Sequence, residues 1–197
     1  MKIGLVPMAA KPYHAGHDAL VRLAAQENDE VLLFVSTSDR ARKGEITILG
    51  SDMLRIWQDY IEPTLPGNVV VEYVPVPVSS VYKALEAAEG ENSIDEFSIY
   101  SDSEDIKKYN VNSLKKAAGN IYNDERITLR GIDRSSTVDI SGTEMRNLLS
   151  SKKKSDKKKF ISLLPPKIQV HGEEIYDMLK NNINEILLKQ YIRFLVE

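Results

Sequence analysis

The sequence predicts an α/β fold: a Rossmann-like open parallel sheet of about five strands, with helices on both faces and a C-terminal helical appendix. Two observations predict it. Short apolar runs alternate with stretches whose apolar residues recur at helical spacing. One of those runs, Val31 to Val35, is continuously apolar, as a parallel strand covered on both faces should be. At 197 residues the chain is long enough for one well-buried core.

Taken in order, Ile3 to Val6 reads as a buried strand, and Ala19, Leu20, Leu23 and Ala24 then fall on one helical face. Val31 to Val35 closes a strand, helix, strand unit. Ser36 to Gly50 is polar, carries Arg40, Arg42 and Lys43, and is long for a plain connection, which marks a mobile or substrate-facing loop. Met53, Leu54, Ile56, Trp57, Tyr60 and Ile61 predict a helix from Ser51 that Pro63 and Pro66-Gly67 end. Val69 to Val74 is the third strand, and Val78, Val81, Tyr82 and Leu85 predict a helix stopped near Gly90. Phe97 to Tyr100 is the fourth strand, running into the polar turn Ser101-Asp102-Ser103. A weak helix near Ser113 to Ala118 precedes the fifth strand, Ile127 to Ile132. Glu173 to Lys180 and Asn182 to Val196 read as two terminal helices.

Between the first strand and the first helix lies Lys11-Pro12-Tyr13-His14-Ala15-Gly16-His17, holding two of the three histidines. A strand, a tight loop and a helix opening outline an anion site, because the first free N–H groups and the positive dipole end of the helix face the loop. Gly16 lets the backbone approach a ligand closely. Far along the chain, Ile140-Ser141-Gly142-Thr143-Glu144-Met145-Arg146 again enters a helix. Ser141 with Glu144 is also a capping box, explicable as helix punctuation, so Ser141 can cap while Thr143 faces phosphate.

His14-Ala15-Gly16-His17 resembles the His-x-Gly-His signature of the nucleotidylyltransferase superfamily, and Ile140 to Arg146 resembles its Ile-Ser-x-Thr-x-x-Arg motif. The resemblance implies a cytidylyltransferase-like or nicotinamide mononucleotide adenylyltransferase-like enzyme that binds a nucleoside triphosphate (ATP or CTP) and moves its nucleotidyl group to a small phosphorylated acceptor. Inversion at the attacked phosphorus and release of pyrophosphate are implied with it. The second motif, with Gly142, is closer to the adenylyltransferase branches, so AMP transfer is preferred over CMP transfer. His14, His17 and Arg146 take the catalytic roles, and Ser141, Gly142 and Thr143 serve the outer phosphates. Mg²⁺ is implied by the triphosphate, with no metal-binding carboxylate cluster in the sequence.

Other residues are nucleotide-binding candidates. Relatives carry a Gly-Ser/Thr-Phe-Asp-Pro or Gly-Arg-Phe-Gln-Pro pattern before the first histidine, where this chain has Met8-Ala9-Ala10-Lys11-Pro12-Tyr13. Backbone contacts to phosphate from Met8, Ala9 and Ala10 persist on this reading, and Lys11 reaches a phosphate or is solvated. Arg134 stands where family members often carry a basic residue. Asp102 loosely matches the Gly-x-Asp turn that holds the nucleoside, and an Asx turn explains it equally well. Trp57 reads as core, and His171 as a surface or packing residue.

A net charge of −3 gives no general attraction to nucleic acid or anionic membrane, and no run approaches a bilayer span. The basic run Lys152 to Lys159 reads as a solvated loop, with nucleic-acid binding the lesser option. Absence of cysteine makes a cytoplasmic setting the simplest expectation. The resemblance covers residues 1–165, read as the α/β domain. Residues 166–197 are read as a helical appendix packed on the same domain or a contact in a homo-oligomer. A non-catalytic nucleotide-binding or regulatory protein is the alternative of a different class, motivated by the altered Met8 to Lys11 segment.

Overall fold

The computed structural model describes residues 1–42, 45–133 and 140–181. Lys43, Arg134 and the helix expected over Asn182 to Val196 lie outside the described residues. The chain divides into two compact units interleaved in sequence. One comprises Met1–Ala10, Gly16–Thr37 and Leu65–Asp139; the other comprises Lys11–Ala15, Ser38–Thr64 and Ile140–Glu197.

The first unit holds the sheet. Its strands are β1 (Lys2–Met8), β2 (Glu30–Ser36), β3 (Val69–Val74), β4 (Glu96–Asp102) and β5 (Ile127–Ile132), all parallel, in the order β3-β2-β1-β4-β5. Leu5 is level with Leu32 of β2 and Ile99 of β4, and Ile99 with Leu129 of β5. The period-2 pleat then sends Leu5, Phe34, Phe97 and Ile99 into one cluster. Helices α3 (Pro77–Gly90) and α4 (Val111–Asn123) cover that face with Val81, Leu85, Leu114, Ala118 and Ile121.

The opposite face is met by helix α1 (Ala15–Glu27) and the residues that end it. Asn28 bonds the Ala24 carbonyl oxygen and the Tyr100 hydroxyl, both at 2.8 Å. It lies so near β1 that a Cβ on Gly4 would stand 3.0 Å from Asn28 Nδ2, which is why a glycine occupies the strand there. Strand order reverses between β1 and β4, so the carboxyl ends of these strands, Met8 and Asp102, border the crevice where open α/β sheets bind ligands.

Strand β3 has its expected bounds. Strand β4 runs two residues beyond its expected end, because Ser101 and Asp102 still pair with Gly131 and Ile132 of β5. Polarity at those positions marks the end of the apolar core, and the backbone ladder outlasts it. Helix α4 starts two residues before its expected start, and at Gly119 (φ 37°, ψ −110°), just past its expected end, it kinks before continuing to Asn123. Asn110 caps it by accepting from the Ser113 N–H at 2.8 Å.

The second unit is helical. Helix α2 (Gly50–Ile56) widens into a π-type turn over Trp57–Ile61 and ends in a tight turn at Glu62–Thr64. Helix α5 (Gly142–Ser150) is followed by α6 (Lys154–Ser162), a 3₁₀ segment over Pro166–His171, and helix α7 over residues 172–181. Its packing includes Trp57 edge-on to Tyr13, ring centroids 4.7 Å apart, and Phe160 edge-on to Tyr176 at 5.4 Å. Trp57 is fully buried, as expected of a core residue, and His171 lies against Tyr60.

The lysine run corrects the expectation of a solvated loop: from Lys154 onward it is helix α6. Lysine is a good helix former, Phe160 anchors the helix in the core, and two of the charges have partners. Lys157 pairs with Glu173 and Asp177 of α7, each at 2.9 Å, and Lys159 pairs with Glu144 of α5 at 2.9 Å. No helix among the described residues is long and apolar enough to cross a membrane.

Candidate functional site

The loop Lys11–Ala15 and the residues Ile140–Arg146 belong to the same unit, and they meet. Arg146, on the second turn of α5, is only 4% exposed. Its Nη1 donates to the carbonyl oxygen of Lys11 at 2.9 Å, and its Nη2 donates to the Thr143 hydroxyl at 2.8 Å. Its Nε lies 2.9 Å from Glu45 Oε2. The planar fork thus ties three segments together, which a point-charge ammonium could not do. Gly142 fits closely beside it: a Cβ there would stand 3.0 Å from Arg146 Nη1 and 3.8 Å from the Lys11 carbonyl oxygen.

Helix α5 follows Ser141, itself extended at φ −111°, ψ 146°, whose hydroxyl accepts from the Glu144 N–H at 3.0 Å. The Glu144 carboxylate pairs with Lys159, so Ser141 supplies the side-chain cap and the glutamate a tie to α6. Thr143 is exposed, with its hydroxyl on the Arg146 guanidinium.

Lys11 is 4% exposed, and its Nζ has no hydrogen-bond partner among the described residues. Burial lowers its pKa from the ordinary 10.5, against the opposing charge of Asp39. Asp39 itself accepts from the Gly50 N–H at 2.7 Å at the start of α2. A buried ammonium is costly unless it is paired.

The loop after Thr37 supplies the rest. Arg40 and Ile48 form an antiparallel bridge that draws the loop into a hairpin. Arg40 Nε and Nη2 donate to Glu45 Oε2 at 3.3 and 3.2 Å, the same oxygen that faces Arg146. Burial pushes the Glu45 carboxyl up, and the guanidiniums of Arg146 and Arg40 outweigh it and hold the group below its ordinary range. Burial also lowers the Arg146 pKa, as do the like charges of Arg40 and Arg42, while Glu45 opposes the shift. Lys11, Arg40, Arg42 and Arg146 therefore set four cationic side chains against the two carboxylates Asp39 and Glu45. In a chain of net charge −3 this is a local reversal of sign.

The remaining expected residues are placed as follows. His14, in the Lys11–Ala15 loop, is 5% exposed. The Ala15 N–H, first of α1, donates to the Leu163 carbonyl oxygen at 2.9 Å, so this helix end is partly spoken for. Gly16 and His17 stand in the first turn of α1, both half-buried, and belong to the first unit. Met8 ends β1 and Ala9 and Ala10 follow it in that unit, with Ala10 at φ 46°, a left-handed conformation that costs an alanine energy. Asp102 forms an Asx turn, its Oδ1 accepting from the N–H groups of Glu104 and Asp105 at 3.0 and 2.8 Å. Arg134 lies outside the described residues. No group of three or more His, Cys, Asp or Glu side chains among the described residues could hold a metal ion.

Sequence reasoning marked the Arg40 loop as substrate-facing without singling out Glu45. A glutamate amid basic residues in a long polar loop looks like solubility, and only the fold reveals that it meets a guanidinium about a hundred positions away.

No protein-family model and no curated protein matches the chain. Among solved structures it is similar to Thermotoga maritima TmcAL bound with alpha-thio ATP, at 16% identity and a TM-score of 0.48. The similarity covers 94% of this chain and 56% of that one, so the chain spans little more than half the length of that protein.

Proposed function

We propose that the chain is a nucleotidylyltransferase that transfers a nucleotidyl group, AMP in preference to CMP, from a nucleoside triphosphate to a small phosphorylated acceptor, as a nicotinamide mononucleotide adenylyltransferase does. The observation that carries this reading is the junction of Lys11 and Arg146: a buried ammonium without a hydrogen-bond partner among the described residues, on the residue whose carbonyl oxygen anchors a buried guanidinium. Polyphosphate is the ligand that such a constellation suits, because several negative charges offset the cost of burying several positive ones.

The acceptor phosphate is already nucleophilic at neutral pH. Its oxygen forms the new bond to the α-phosphorus, the bond from that phosphorus to the bridging oxygen breaks, and pyrophosphate leaves with the electron pair. No general base is needed. The protein has to align the reactants and offset their mutual repulsion. In this reading Lys11, Arg146 and Arg40 hold phosphate oxygens, Thr143 and Gly142 present the helix mouth, and His14 and His17 donate to oxygens of the phosphate under attack. Met8 to Ala10, Gly16, Asp102 and Arg134 serve the nucleotide. Mg²⁺ would arrive on the triphosphate and supply further charge neutralisation.

Pyrophosphate release from ATP or CTP against a panel of small phosphorylated metabolites tests the reading. Turnover with one pair is expected. Tight triphosphate binding without turnover for any pair would instead favour a non-catalytic nucleotide-binding protein, which the altered Met8 to Lys11 segment and the engagement of Arg146 by Glu45 make the second reading.

A further inference from the structure

Among the described residues, Glu45 is the carboxylate that touches the guanidiniums of both Arg40 and Arg146. A single oxygen, Oε2, lies 2.9 Å from Arg146 Nε and accepts from Arg40 at 3.2 and 3.3 Å. One anionic oxygen between two guanidinium forks is how a phosphate oxygen is commonly held. The carboxylate is 24% exposed, so water and solutes reach it from one side, whereas Arg146 behind it is 5% exposed. Glu45 also sits between Arg40 and Ile48, whose bridge, with the burial of Ile48, holds the base of the loop, while no helix contains Glu45, so the carboxylate can leave without unpacking a helix.

We propose that Glu45 is an internal stand-in for phosphate and the residue that sets which anions this site accepts. With no ligand it neutralises Arg146 and Arg40 and keeps them in place. An incoming anion has to take over both guanidiniums from a carboxylate already positioned there. A monophosphate brings too little charge to win that exchange, whereas a chain of phosphates can also reach the Lys11 ammonium. The inference rests on the polyphosphate site proposed above.

The test uses the full chain and three inorganic probes, phosphate, pyrophosphate and tripolyphosphate, with binding measured calorimetrically. Wild type is expected to bind tripolyphosphate and to discriminate steeply against phosphate. Glu45→Gln is expected to bind tripolyphosphate about tenfold more tightly and to lose much of the discrimination, because the competing charge is gone. Glu45→Asp, too short to serve both guanidiniums, should fall between. Equal or weaker tripolyphosphate binding by both variants overturns the proposal and makes Glu45 a brace, leaving the polyphosphate site intact. If no form binds tripolyphosphate, the site itself fails, and this inference with it. Should both variants unfold, the Glu45 carboxyl carbon signal of labelled wild type decides: a shift on saturation with tripolyphosphate supports the exchange, and an unmoved signal overturns it.

Discussion

The guanidinium of Arg146 donates to the backbone carbonyl oxygen of Lys11 across 135 positions of sequence, at 2.9 Å. That one bond joins the histidine loop to the serine-threonine-arginine turn, which sequence alone relates only by their order. Because the same guanidinium serves Thr143 and Glu45, it is a structural tie before it is a ligand for anything. Arg146→Lys keeps the charge and loses the fork. It should cost about 2–3 kcal/mol, since the half-buried Glu45 carboxylate and the buried Lys11 carbonyl lose their donors. Thermal unfolding by circular dichroism should show a fall of about 5–10 °C, and triphosphate binding should weaken at least about tenfold. Unchanged melting and unchanged binding together would remove Arg146 from both roles.

Lys11→Met should move stability and binding in opposite directions. Removing an unpaired buried ammonium and leaving its apolar stem relieves desolvation, so the variant should gain about 1 kcal/mol. Its affinity for triphosphate should drop. A variant both less stable and equally good at binding would show that Lys11 is paired in solution.

The pH dependence follows from the same burial. Lys11 titrates below its ordinary 10.5 in the folded chain, so between the lowered value and 10.5 the unfolded chain binds more protons and stability rises with pH. Below the lowered value the penalty is present in full. The stability gap between wild type and Lys11→Met should therefore close as pH climbs through that window, as denaturant melts at a series of pH values will read. Polyphosphate favours the charged amine, so its affinity should decline over the same rise.

Gly142→Ala places a methyl group 3.0 Å from Arg146 Nη1, a guanidinium held at three points. Alanine is otherwise the better helix residue by up to about 1 kcal/mol, so the outcome measures how firmly the fork is held. Weaker triphosphate binding with nearly constant stability is the expected pattern. Tighter binding would show that the guanidinium has room to shift.

His17→Ala tests the histidines. The side chain stands in the first turn of α1, half-buried, and its loss should leave the melting temperature nearly unchanged. Turnover should drop about a thousandfold, the scale of a lost donor to a developing charge. Wild-type rates of pyrophosphate release in this variant would refute the assignment.

Much of the sheet was legible because apolar runs such as Val31 to Val35 and Val69 to Val74 can do little else than pack as strands. Helix α2 was legible through Met53, Ile56, Trp57 and Ile61, although its widening after Ile56 was not, since apolar spacing does not report hydrogen-bond register. Helix α6 was misread because its lysines carry no apolar period; their partners Glu144, Glu173 and Asp177 lie on other helices. At the candidate site, Ser141, Thr143 and Arg146 could be picked out from their motif. The burial of Lys11 and the double contact of Glu45 are tertiary facts, and no local pattern encodes them.

A crystal structure with a non-hydrolysable ATP analogue is the most direct measurement. Phosphate oxygens are expected about 2.7–2.9 Å from Lys11 Nζ, with Glu45 displaced from Arg146. An analogue bound elsewhere, with Lys11 Nζ still unpartnered and Glu45 still on both guanidiniums, would contradict that expectation.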